Sequence, residues 1–105
     1  MDDSRALRLL RVEYRTDSSG TQKATIASDR LIFCRRRSVG IREAYAAMQI
    51  GRNPEIMADI PEARDYQGEN FAVVDGDVFK VLRTFQHGLK LELTLERTRD
   101  LEGMV

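Results

Sequence analysis

Residues 68–98 read GENFAVVDGDVFKVLRTFQHGLKLELTLERT, and this stretch decides the fold. Three apolar runs are separated by two turn signals, Asp75-Gly76-Asp77 and Gln86-His87-Gly88. Asp-Gly between apolar runs favours a tight hairpin, because glycine accepts the positive φ such turns need. After the second turn the alternation is strict. Leu89, Leu91, Leu93 and Leu95 share one parity; Lys90, Glu92, Thr94 and Glu96 share the other. A period of two is the pattern of a half-buried strand. The stretch predicts a three-strand antiparallel meander on which any earlier strands must pack.

Upstream, Leu10, Val12 and Tyr14 alternate with Arg11, Glu13 and Arg15, which predicts a first strand. A helix over residues 6–11 competes, but Val12 and Tyr14 favour strand. Residues 16–21, TDSSGT, read as a turn or mobile loop. A second apolar segment covers residues 23–33, and Ser28-Asp29 breaks its alternation as a bulge would. Residues 40–50 predict the one helix. Ile41, Ala44, Tyr45 and Met48 fall on a single face, and core packing is the expected role of Tyr45 and Met48. Gly51 and Pro54 stop it. Ile56, Ala58 and Ile60 alternate with Met57, Asp59 and Pro61, a third strand that ends at the proline. Residues 1–5 and 99–105 are expected to fray.

The resulting fold class is mainly β, a β-rich α+β domain over residues 1–105. Its form is a small antiparallel β-barrel, or two packed sheets, of about six strands. One short helix is inserted between the N-terminal strands and the meander, where it plugs one opening. Seventeen basic residues balance seventeen acidic ones. A dedicated nucleic-acid binder normally carries a basic excess, so zero net charge argues against that class. Cys34 is the only cysteine, so no internal disulfide forms and a reducing compartment suits the chain. No apolar run has the length of a membrane span, and Met1-Asp2-Asp3-Ser4 is not a secretion signal.

Catalytic patterns do not assemble. His87, the one histidine, sits in a predicted turn with no placed partner. Asp75 and Asp77 are explained by turn chemistry, and the glycines serve separate turns rather than a phosphate loop. The expectation is a non-enzyme with no metal and no cofactor. Arg35, Arg36 and Arg37 form a basic run. It reads either as a solvated strand end or as a patch facing an acidic partner or phosphate backbone.

Five pieces then recur in a familiar order. They are Arg42-Glu43-Ala44-Tyr45 in the helix, Asn53-Pro54-Glu55-Ile56 entering a strand, and Asp65-Tyr66-Gln67-Gly68 at a turn. Phe79-Lys80-Val81-Leu82-Arg83-Thr84-Phe85 and Leu93-Thr94-Leu95-Glu96-Arg97 follow in the meander. With these, residues 39–97 resemble the head-closure (head–tail joining, or stopper) proteins of long-tailed bacteriophages and prophages. Ala44 stands where that family often has an aromatic residue, and the arginine run is not a family feature.

The resemblance implies a structural virion protein, a small barrel with an inserted helix. Such proteins form a homo-oligomeric ring beneath the portal and its adaptor protein, close the DNA exit channel near the packaged DNA, and offer a docking face to tail proteins. They are made in the bacterial host cytoplasm and reside at the head–tail junction. Interface candidates are the loop Asp17, Ser18, Ser19, Gly20, the run Arg35, Arg36, Arg37, and the polar tail. Two other readings stand beside this one: an oligonucleotide-binding type of barrel, and a tail-completion or adaptor protein of the same virion.

Overall fold

The computed structural model describes residues 3–101, with side chains for residues 6–40 and 45–101. Six strands close into one barrel. They are β1 (Asp3–Thr16), β2 (Gln22–Ser38), β3 (Ile56–Ile60), β4 (Phe71–Val74), β5 (Asp77–His87) and β6 (Lys90–Arg97). The order around the barrel is β1-β2-β3-β6-β5-β4, and every neighbouring pair is antiparallel. Closure removes the edge strands that would otherwise invite pairing with other chains. A helix, α1 (Ile41–Met48), lies between β2 and β3, and a single 3₁₀ turn covers Ala63–Asp65.

The meander forms as expected. Asp75 (φ +52) and Gly76 (φ +83) are the two central residues of the β4–β5 turn. Positive φ at both positions is the type I′ geometry that matches strand twist. The β5–β6 turn falls one residue later than predicted, on Gly88 (φ +58) and Leu89. Leu89 therefore leaves the strand and stands 79% exposed, while Leu91, Leu93 and Leu95 point inside. β1 begins at Asp3, so only Met1, Asp2 and residues 102–105 of the predicted frayed ends lie outside the described residues.

Side-chain parity builds two cores. Leu7, Leu9, Cys34, Phe79, Leu93 and Leu95 are among those filling the barrel interior. Leu10 and Val12, on the other face of β1, join Phe71 and Val73 on the outer wall. A bulge brings Ala24 and Ile26 round to cover them. The register shifts between Arg11 and Val12, opposite Ser28 and Ile26, so Ala27 is the extra residue, next to the predicted interruption. Leu101 completes this second core at 1% exposure. Of the tail expected to fray, Leu101 is thus anchored there.

The connection from β3 to β4 covers one end of the barrel. Ala63 and Tyr66 pack on the interior core, and the Ala63 N–H donates to Leu89 O at the β5–β6 turn. The predicted plug, the helix, lies elsewhere. It shares a cleft with Leu82, Arg83 and Thr94 on the outside of the barrel. Strand side chains, with Ala63 and Tyr66 of the connection, fill the interior, which leaves no room for a helix face.

Candidate functional site

β2 continues through Ser38, so the arginine run obeys strand parity. Arg36 shares its parity with buried Cys34, and its Nη1 reaches Asp75 Oδ2 at 2.8 Å in the β4–β5 turn. Arg35 and Arg37 face outward. Arg37 bridges two carboxylates: its Nε lies 3.2 Å from Asp59 Oδ2 and its Nη2 contacts Glu92. Asp59 and Glu92 are directly opposed across β3 and β6, a like-charge pairing that would repel. Arg37 offsets this, as does Lys90, whose Nζ is 3.9 Å from Asp59. Partial burial works against the Arg37 charge, but the two carboxylates hold its pKa above the ordinary guanidinium value. The three arginines therefore do not converge on one anion. They are divided between two sides of the wall, and Arg36 and Arg37 are matched with acids of the same chain.

Of the two readings of residues 16–21, turn or mobile loop, the structure shows the turn, and it is hydrogen-bonded. Asp17 Oδ1 accepts from the Ser19 hydroxyl at 2.7 Å and from the Ser19 and Thr21 amides at 2.9 Å. The Gly20 N–H donates to Asp17 O, and Gly20 has φ +86. Ser18 lies exposed inside the same turn. An Asx turn of this kind competes with strand pairing and so ends the hairpin. Those bonds hold the Asp17 carboxyl below the usual range, the Ser19 hydroxyl contributing most. A group depressed in the folded chain stabilises it above its unfolded pKa, and that contribution is lost as pH falls through the lowered value. In an NMR titration the Ser19 and Thr21 amides should shift together at a pH below the ordinary aspartate midpoint. A shared midpoint at the ordinary value contradicts this.

α1 departs most from expectation. Gly40 precedes it in extended conformation, and it closes with Arg52 N–H to Ala47 O and Gly51 N–H to Met48 O, Gly51 standing at φ +76. These are the bonds of a Schellman motif. Its core-facing role does not hold: Tyr45 is 67% exposed and Met48 65%. The side chains of Ile41 and Ala44 lie outside the described set. Beneath the helix a cleft of about 480 Å³ separates Ala46, Ala47 and Ile50 from Leu82 and Thr94, with Arg52, Pro54 and Arg83 completing the lining. β5 carries its bulge here, between Val81 and Arg83.

His87 ends β5 as an edge-on neighbour of Phe85 (4.3 Å between centroids), with Nε2 3.8 Å from Glu92. Cys34 is fully buried, and burial pushes its thiol up to about 11 despite nearby Arg36. At pH 8 a thiol-specific disulfide reagent should leave the native chain unmodified and react with one equivalent in urea. Reaction of the folded chain at the unfolded rate contradicts this. Among the described residues no group of three or more His, Cys, Asp or Glu is placed to hold a metal ion, and no helix is long and apolar enough to cross a membrane.

Two contributors escape sequence reading. Glu69 is 1% exposed, and its Oε2 accepts Arg30 Nε at 2.8 Å and Nη2 at 2.5 Å while Oε1 accepts the Gln67 N–H. Asn70 pairs its side-chain amide with both backbone groups of Val12, standing in for a strand neighbour where the β1–β4 ladder ends. Neither residue belongs to a periodic pattern that would have marked it. No protein-family model matches the chain, and no curated protein matches it.

Proposed function

We propose that this chain is a structural component of the head–tail junction of a tailed phage or prophage, a ring-forming barrel that closes the DNA exit channel and receives the tail. The observation that carries the reading is the collinear set of motifs between residues 39 and 97. Those motifs fall in order on α1, the entry to β3, the crossover, β5 and β6 of one domain. Surface chemistry supports it. Among the described residues eight large apolar side chains are substantially exposed, Leu31, Phe33, Tyr45, Met48 and Phe85 among them. A chain of this size with that much apolar side chain in water is suited to contacts with other subunits. The functional class is assembly through interfaces, with heterologous contacts closing a ring.

The test is deletion of the gene followed by complementation. Loss should yield DNA-filled heads that do not join tails, and the wild-type gene should restore joined particles. Normal particle yield without the gene removes the proposal. Arg35→Glu probes the outward arginine face and should lower incorporation, with circular dichroism checking that the chain stays folded. Arg36→Glu would set a carboxylate against Asp75 and disturb the fold itself.

A further inference from the structure

The closed barrel leaves one stretch of strand edge bare, because β2 is longer than the strands beside it. β1 lines one edge of β2 from Gln22 to Arg36, but β3 covers the other only from Arg35 to Ser38. β3 ends at Ile60, and Pro61 after it has no N–H to extend the ladder. Among the described residues, 22–34 of β2 therefore meet no strand but β1. The ladders fix which backbone groups are bare. Asn70 takes both backbone groups of Val12 on the β4 side, and Leu10 and Arg8, of the same parity, turn theirs to β4 as well. Their partners on β2, Asp29 and Leu31, thus sit in non-hydrogen-bonded pairs with β1 and turn their own N–H and C=O to the bare edge. Phe33, opposite Ala6, shares that parity. Leu31 (71% exposed) and Phe33 (59%) also hold their side chains on the outward face. The crossover meets this part of β2 on the inner face, through Arg30.

We propose that the edge from Asp29 to Phe33 pairs antiparallel with the same edge of a second copy of this chain, Leu31 opposite Leu31. Only residues of this parity can exchange backbone bonds, which restricts the register. Centring on Leu31 sets Phe33 opposite the partner's Asp29 at both ends. A centre at residue 32 would bring Arg35, already in the β3 ladder, opposite Asp29, and a centre at residue 30 would bring the bulge at Ala27 opposite Phe33. Self-complementarity names the occupant. Leu31 and Phe33 of the two copies form one apolar strip, and Arg30 faces Ile32, so no like charges are opposed. The devices that normally blunt an edge are missing: the stretch has no proline, and Asp29 and Arg30 are neutralised within their own chain by Arg8 and Glu69. Zero net charge adds no repulsion between copies. A two-fold pair closes on itself, whereas a ring needs heterologous contacts. The pairing is therefore a contact of the free chain, and its failure and that of the junction reading are separate results.

Sedimentation equilibrium of the full chain tests the pairing, and the mass should rise with concentration from one chain to two. Leu31→Lys and Leu31→Glu each remove an apolar contact and set like charges across the two-fold axis, and each should weaken the pair by about tenfold or more. An equimolar mixture of the two variants should restore it, because Lys then faces Glu. Leu31→Cys should form an inter-chain disulfide on mild oxidation, since residues directly opposed in a hydrogen-bonded pair lie about 5.5 Å apart, within disulfide reach. Cys34 is buried and stays out of the exchange. Leu89→Cys, similarly exposed on the β5–β6 turn, is the control and should cross-link about tenfold more slowly. The two cysteine variants decide the matter if the charged ones fail to fold by circular dichroism. A chain that stays monomeric at every concentration overturns the proposal, as does association that both folded charge variants leave unchanged, or equal cross-linking at positions 31 and 89. Growth beyond two chains that Leu31→Lys abolishes would also overturn it, assigning the edge to a ring contact.

Discussion

Replacing Glu69 with alanine should lower the unfolding free energy by about 3 kcal/mol, the low end of what breaking a buried ion pair costs. Glu69 is almost wholly buried, and it ties the crossover to β2. Its carboxylate holds Arg30 on β2 and the Gln67 amide in the crossover, and Arg30 Nη2 also donates to Asp65 O at 2.6 Å. Removing the acid leaves the Gln67 N–H without this acceptor and the Arg30 guanidinium without its buried counter-charge. The low end applies because Arg30 is 28% exposed and can recover some hydration. In urea the midpoint should fall by roughly 2 M with the slope unchanged, the signature of altered stability alone. Glu69→Gln keeps an acceptor and should lose less. Arg30→Met with Glu69→Leu should restore part of the loss, since no charge is then stranded. A drop below about 1 kcal/mol for the alanine variant would show that the connection is held by its apolar contacts.

Leu101→Ala should cost about 2–3 kcal/mol, within the lower part of the range for truncating a buried leucine. Leu101 is the lid of the outer core over Leu10, Val12, Phe71 and Val73. The loss has two parts, the burial of the isobutyl group itself and the uncovering of the apolar wall beneath. The second part has its own readout. The variant should bind a hydrophobic dye in the absence of denaturant and sediment with a larger average mass, because an uncovered apolar patch promotes association. The low end is expected because an end-of-chain segment relaxes more easily than a strand in the barrel. Unchanged stability together with unchanged dye binding would contradict the assignment of Leu101 to the core.

Strand existence was legible because parity is a property of the chain itself. The leucines of β6 and the apolar residues of β3 announce which side is buried, and Asp75-Gly76 announces its turn. The helix was legible as a helix and misread in its packing. Periodicity shows that α1 has an apolar face, but whether anything covers that face depends on how full the barrel already is. The arginine run had two readings, a solvated strand end and an anion-facing patch, and the strand end is the one β2 shows. Carrying the strand to Ser38 sends Arg36 toward Asp75 and leaves Arg35 and Arg37 on the opposite face. Glu69 and Leu101 act as single residues, so no repeat signals them. Their importance arises only when distant strands converge.

The loop at residues 17–20 illustrates the same limit in reverse. Small polar residues fitted either a turn or a mobile loop, and Asp17 uses them as donors and closes the turn on itself. Local composition identified the turn, and the particular spacing of Asp, Ser and Thr determined that it is bonded.

The central claim, that this barrel belongs to a head–tail junction, is tested most directly by electron cryomicroscopy of the neck in particles that encode it. The account predicts a ring of copies between the portal-adaptor assembly and the tail, each copy matching the closed six-strand barrel with α1 on its outer wall. A neck whose density is fully occupied by other proteins, with no such barrel in the ring, would contradict it.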